Sequence, residues 1–400
     1  MIVLRFRSTR PFPRELPALI ITIVKQVRTA DPSSYAWATL RKFQNVDLVA
    51  NKITALHNVP ERYRPNVRKQ ALQIRYCLLQ AREYFTAAAT VSLATKPNLL
   101  YYGTMSLALA EILFKQSGDS SLDRAREQNR HHGLTMTVAG TPRPASLSEA
   151  SRLLRACPME IGGIMKGTFN LWHRSIREFP LPGILTRHFP EGGSTSEFAN
   201  LWGAEDKPYR PIPSTGLSLE DCLASLPLLL EHSASSGVSP NFVRGSCAAN
   251  LWVGEQWRSQ NIFTLHPNRR IAQLLEGIKV NPNNSERIDV REIGEGIQVT
   301  LDADWINGRF GFPVPPGASI NSAEWRMWTN DPPLNEFGYY YVGLYLAGNY
   351  ARYYPDKWLA DVEASNPISL AIEEMCSTAE WRVPWLALCE LDQTLYVNEA

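Results

Sequence analysis

The run DRAREQNRHHGL, residues 123–134, gathers the densest acid–base chemistry in the chain. Four residues separate Arg126 from His131. A histidine titrates near neutral pH and can move protons. An arginine can stabilise charge developing on a phosphoryl centre. Arg126 and His131 are therefore the candidate catalytic residues, and a solvated surface run is the plainer reading of the same segment. A second cluster surrounds Arg352 with Tyr350, Tyr353, Tyr354 and Trp358. A guanidinium over such rings is worth ~0.5–2 kcal/mol. Arg352 and Trp358 thus read first as a clamp on a helix end and second as candidate binding residues.

Other motifs are weaker. Asp302 and Asp304 in LDADW share one strand face through their i, i+2 spacing and could offer oxygen ligands to Mg²⁺. A solvated turn is the plainer reading of the same pair. GGIMKGT has glycine and lysine without phosphate-loop spacing, and RGSCAAN sets Ser246 beside Cys247 without the frame of a nucleophile elbow. The cysteines are Cys77, Cys157, Cys222, Cys247, Cys376 and Cys389. They form no C-x-x-C and have no zinc-site spacing with histidine, so they read as free thiols in a reducing compartment. No metal and no cofactor is expected.

These residues must be positioned by long helices. Val67, Ala71, Ile74, Leu78, Ala81, Phe85 and Ala88 recur at helical steps with Arg68, Lys69, Arg75 and Arg82 between them. That is an amphipathic helix from Pro65 onward. A second helix follows Thr95, with Pro97 in its first turn where a missing N–H costs nothing. Its residues are apolar almost all round: Leu99, Leu100, Met105, Leu107, Leu109, Ile112, Leu113 and Phe114. Such a helix is buried. Gly103 within it costs ~1 kcal/mol against alanine, which predicts close approach by a neighbouring helix. Weaker helical patterning covers residues 31–62. Helices are predicted for residues 147–156 and 219–232, and again after Gly338 and Pro367. Residues 288–301 alternate apolar and polar as two strands joined near Gly294, and Asn307-Gly308 is a further hairpin signal.

With 400 residues, 44% hydrophobic and 20% charged, the chain is globular. Its net charge of +2 argues against a strongly electrostatic polyanion binder. Arginines before the apolar residues 16–24 imitate a signal peptide. That run is far short of the ~20 residues that span a bilayer, and no small-residue cleavage site follows it. No membrane association is expected.

Four segments in order, AREYFTAA, KPNLLYYGTMSLALAEIL, HHGL and ARYYPDKW, resemble the YaaC-like family of bacterial proteins. The resemblance implies a mostly helical cytoplasmic protein and brings no catalytic residues with it. The Arg126/His131 spacing is also similar to the Arg-x4–6-His pattern of HEPN ribonucleases, which are helical bundles. Glu127 stands where those sites usually carry a small polar residue.

The expectation is a mainly α fold with a central mixed α/β region: a helical bundle core plus a small antiparallel β element. Residues 1–30 form an N-terminal extension and 31–156 an N-terminal helical region. Residues 157–335 form the mixed α/β middle, and 336–400 a helical region packed on the N-terminal helices. The expected function is a binding or regulatory module of unspecified ligand. The alternative is a HEPN-like metal-independent ribonuclease, a toxin or defence effector. Nucleic acid is a partner only under that alternative, and a homo-oligomer is compatible with both.

Overall fold

The computed structural model describes residues 2–3, 23–115, 131–138, 144, 146–175, 178–188, 194–204, 211–229, 236–253, 256–265, 288–293, 296–302, 324–328 and 333–398. Arg126, Asp304, the Asn307-Gly308 turn and most of residues 1–22 lie outside them. The architecture is mainly α with antiparallel β elements, as the hydrophobic periodicity predicts.

The N-terminal helices are α1 (Pro32–Leu40), α2 (Val46–His57), α3 (Arg64–Ala88) and α4 (Lys96–Lys115). The predicted stripe of α3, from Val67 to Ala88, is buried along its whole length. The short link over residues 89–95 turns α4 back along α3. Pro97 sits in the first turn of α4 and is itself buried. Next come α5 (Leu147–Leu153), α6 (Thr168–Ser175) and α7 (Leu219–Ser225). The C-terminal helices are α8 (Glu336–Tyr353), α9 (Pro355–Glu363) and α10 (Pro367–Asp392). Helix α4 is the hub, touching α3, α6, α8 and α10. That is why its apolar residues can cover nearly the whole circumference.

Five β elements accompany the helices among the described residues. Strands β1 (Ile2–Val3) and β2 (Ile23–Val27) are antiparallel, and β2 runs parallel to β15 (Thr394–Asn398). Residues near both chain ends therefore share one sheet. Strands β3 (Leu134–Val138), β4 (Leu154–Pro158) and β9 (Leu217–Ser218) form an antiparallel sheet in that order. Strands β5 (Glu160–Ile161) and β6 (Ile164–Met165) make a short hairpin, and β7 (Glu178–His188) and β8 (Ser194–Ala204) a long one. The remaining strands are β10 (Phe242–Val253), β11 (Gln256–Leu265), β12 (Ile288–Ile293), β13 (Gly296–Asp302) and β14 (Glu324–Trp328). They form an antiparallel sheet of order β12-β13-β11-β10-β14. The predicted hairpin is its β12–β13 pair, with Ile293 opposite Gly296.

Two predicted elements differ. The helix expected over residues 147–156 stops at Leu153, capped at its start by Ser146. Residues 154–158 leave it because β3 and β9 offer them ladder partners on both sides. The helix expected over 219–232 stops at Ser225, and Pro227 starts a 3-10 turn. Proline disfavours helical geometry at Leu226 before it. Conversely, α10 runs straight through Pro384. Pro384, Trp385, Ala387 and Leu388 are all buried there, so packing outweighs the lost N–H.

The close approach predicted at Gly103 is present. A Cβ on Gly103 would lie 2.7 Å from the Phe85 ring and 3.2 Å from Tyr84 Cβ. Gly103→Leu should therefore overpack the α3–α4 contact and destabilise the protein by about 1–3 kcal/mol. The urea midpoint is the measurement, and an unchanged midpoint would remove this contact from the account.

Candidate functional site

The His-Gly element enters the fold through a tight backbone junction. Gly133 and Gly167 both have left-handed φ, +87° and +97°. A Cβ on Gly167 would meet the Gly133 backbone at 2.4 Å, so the two chains cross at a spacing that only glycine permits. The first amides of α6 hold the element from behind. Thr168 N–H donates to the His131 carbonyl and Phe169 N–H to the His132 carbonyl, both at 3.0 Å. Asn170 Nδ2 donates to the carbonyls of Gly133 at 3.0 Å and Lys166 at 2.7 Å. GGIMKGT is thus a hairpin and a junction rather than a phosphate cradle, with its turn at Gly162 and Gly163.

This junction presents His132 to the tyrosines of α4 and α8. The Tyr101 hydroxyl lies 2.8 Å from His132 Nδ1, and the two rings stack with centroids 5.8 Å apart. Tyr102 meets the same imidazole edge-on at 6.0 Å and stacks on Tyr84 of α3 at 5.7 Å. Behind Tyr101 stand Tyr341 and Tyr345, at 5.6 and 5.4 Å. The Tyr345 hydroxyl donates to the Leu134 carbonyl at 3.2 Å, which ties α8 to β3.

Burial first, then the neighbouring tyrosines, push the Tyr101 hydroxyl pKa far up, so it stays protonated. A phenol offers one proton and two lone pairs, and the imidazole tautomer sets which partner donates in the bond to His132 Nδ1. Burial lowers the His132 pKa below its ordinary 6.5, and the charges of Arg352 and His131 lower it further. At neutral pH the imidazole is neutral, and His132 is exposed.

The other sequence candidates fall as follows. His131 is half-buried and lies next to this cluster. Arg352 is exposed on the last turn of α8, over the ring of exposed Tyr353 at 5.4 Å. Trp358 is fully buried on α9, where its Nε1 donates to the Ala94 carbonyl at 3.2 Å. Asp302 ends β13. Among the described residues, no group of three or more His, Cys, Asp or Glu is placed to hold a metal ion. Tyr101 and His132 carry the geometry, although neither stands out in the sequence by residue type or spacing. Their one sequence signal was that both sit inside segments resembling a family.

That resemblance is general. A family model described as YaaC-like Protein matches residues 41–391. The chain belongs to the YaaC-like family. No curated protein and no solved structure gives a significant match. In this YaaC-like chain the resembling segments converge on α4. Lys96 pairs with Glu380 at 2.7 Å, Trp358 reaches Ala94, Phe85 packs on Gly103, and Tyr101 holds His132. No described helix of the YaaC-like chain is long and apolar enough to cross a membrane.

A second titratable cluster is sealed inside the bundle. Glu111, Lys115 and Glu390 are all buried. Trp172 Nε1 donates to Glu111 at 2.7 Å, and Lys115 pairs with Glu390 and donates to the Ser175 carbonyl at 3.2 Å. Burial, then the Glu390 charge, push the Glu111 carboxyl up to about 8, against the pull of Lys115. Nearby, Arg382 grips Glu336 with two bonds of 2.8 and 2.6 Å, also buried. These groups face no solvent and serve the core.

Two outcomes follow. Tyr101→Phe should cost about 0.5–1.5 kcal/mol, the worth of one hydrogen bond. It should also change the tautomer balance read from the ¹⁵N signals of His132; unchanged signals would show that the Tyr101 hydroxyl does not bond the imidazole. The second concerns pH. The folded protein keeps a proton on Glu111 that the unfolded chain releases above 4.5. The stability linked to it is full below pH 4.5 and is lost as pH rises toward about 8. His173, depressed by burial to about 4, tilts the curve the other way, so the readout is a difference. Thermal midpoints of Glu111→Gln should gain on wild type as pH rises through that window. Parallel curves would contradict a protonated Glu111.

Proposed function

We propose that this protein is a cytoplasmic, bacterial binding or regulatory module, and that its ligand surface is formed by His132, Tyr102 and Arg352. The observation that carries the reading is the fixed, exposed imidazole of His132. A buried tyrosine holds its Nδ1, while His132 itself is exposed. Fixing a surface histidine from behind in this way orders the ring before any ligand arrives, which lowers the entropy cost of binding. Arg352 stands near enough for its charge to act on the same ring. In this reading residues 31–156 and 336–400 supply the helical body, the middle region 157–335 contributes the junction behind the histidines, and residues 1–30 are an extension. Trp358 is a structural anchor of α9, and Arg352 belongs to the surface.

The ribonuclease alternative assigns Arg126 and His131 instead, and one set of assays separates the two. Purified protein with mixed-sequence RNA in EDTA should show no cleavage. RNA cleavage that is lost in His131→Ala would overturn the binding reading. Arg352→Ala should leave the thermal midpoint within about 2 °C, because exposed substitutions change stability by only ~0.5 kcal/mol. A larger fall would make Arg352 a structural clamp. A screen of small aromatic compounds, read on the ¹³Cε1 signal of His132, should find at least one that saturates. A screen with no saturating compound counts against the module.

A further inference from the structure

We propose that the outward face of α3 docks a single-stranded nucleic acid, with phosphates along a row of arginines and bases against an exposed tyrosine. This surface is separate from His132 and does not depend on the function proposed above.

Helix α3 carries Arg64, Arg68, Lys69, Arg75 and Arg82 against a single acid, Glu83. That is a net +4 on one helix of a chain whose total is +2, so the small overall charge conceals a concentrated one. Arg68, Arg75 and Arg82 recur every seven residues. Seven residues fall within ~20° of two whole turns, so the three share one face and step along it by ~10.5 Å. All three are exposed. Two of them are held from below. Arg68 pairs with Asp47 of α2, and the Arg82 guanidinium lies 5.1 Å from the centroid of the Trp37 ring of α1. Arg75, between them, makes no ion pair among the described residues.

The carboxylates near the row do not cancel it. Glu61 pairs with Arg64 at 2.8 Å and Asp47 with Arg68, and all four side chains are more than half exposed. Water and salt screen such pairs, and each guanidinium keeps N–H donors for a phosphate. Asp31 spends its carboxylate on the Ser34 amide at the start of α1, at 2.9 Å. Glu83 points ~100° around the helix from Arg82.

The neighbours of the row favour a single strand over other polyanions. Tyr76 and Leu79 are 58% and 40% exposed and lie three residues apart, so they are adjacent on the helix surface. Leu79 also stands between Arg75 and Arg82 along the helix. Cations that track a backbone beside a ring that stacks bases are what single strands require. A duplex keeps its bases paired and leaves such a ring unused. A lipid surface calls for an apolar helix face to insert. The apolar stripe of α3 is already buried from Val67 to Ala88.

The test uses full-length protein and the fluorescence anisotropy of a labelled single-stranded DNA of ~16 nucleotides. The same sequence as a duplex, polyglutamate and phosphatidylserine vesicles are the comparison probes. The single strand should bind saturably and more tightly than the duplex or polyglutamate, and the vesicles should not sediment the protein. Between about 50 and 200 mM salt, log affinity should fall with a slope of about −2 for three phosphates. Arg75→Gln should weaken the strand on the order of tenfold and reduce the slope by ~0.7. Its thermal midpoint should stay at the wild-type value, because Arg75 holds no partner in the fold. Arg75→Lys should recover part of the affinity. Tyr76→Ala should weaken binding on the order of tenfold with the slope unchanged, since the ring carries no charge. Arg152→Gln, which removes an exposed arginine from α5, should change nothing. Absence of saturation at the lower salt overturns the proposal, as does wild-type affinity in Arg75→Gln or an equal loss in Arg152→Gln. Duplex or polyglutamate binding as tight as the single strand, or wild-type affinity in Tyr76→Ala, overturns the single-strand assignment. Capture by vesicles without binding of the strand makes the face a lipid contact and also overturns it.

Discussion

Helix α4 buries most of its circumference and leaves only a stripe through Tyr102, Met105 and Leu109 partly covered, and the fold is arranged around it. Each fully buried Leu, Ile or Phe is worth about 1.5–3 kcal/mol. A helix lined with them gains that only where other helices cover it. Helices α3, α6, α8 and α10 pack against it. The price is steric and electrostatic. Gly103 must stay small for Phe85 to approach, and Glu111 and Lys115 must find partners inside. They find Trp172 on α6 and Glu390 on α10, which link the hub to the helices that cover it.

The candidate surface is the polar edge of that same hub. Where α4 meets α8, tyrosines replace aliphatic residues, and their hydroxyls reach toward the His-Gly junction. Tyr101 fixes His132, and Tyr345 fixes Leu134 at the start of β3. Rings supply buried area while hydroxyls direct hydrogen bonds, so one set of side chains packs the core and orients the surface. The glycine crossing at Gly133 and Gly167 lets the junction come close enough for this.

Much of the helical frame was legible because period and chain geometry agree. The α3 stripe, the Pro97 start of α4 and the glycine contact all follow from one-dimensional spacing. Reading failed where a distant partner competes. Residues 154–158 carry on an acceptable helical pattern, but β3 and β9 offer them ladder bonds. The candidate surface was legible only as segments. His131 and Arg352 drew notice by their chemistry, while Tyr101 and His132 looked like ordinary members of an apolar helix and a polar loop.

By itself the sequence determined the long helices α3 and α4, that α4 is largely buried, that Gly103 marks a close contact, and which family the segments resemble. These are local or compositional properties, set by side-chain period and size. Only the tertiary structure decided that Tyr101 reaches His132 and that Glu111 is paired with Trp172. Those partners lie 31 and 61 positions apart along the chain. Hydrogen-bond geometry and electrostatic fields depend on distance in space, and no spacing pattern encodes that distance across separate elements.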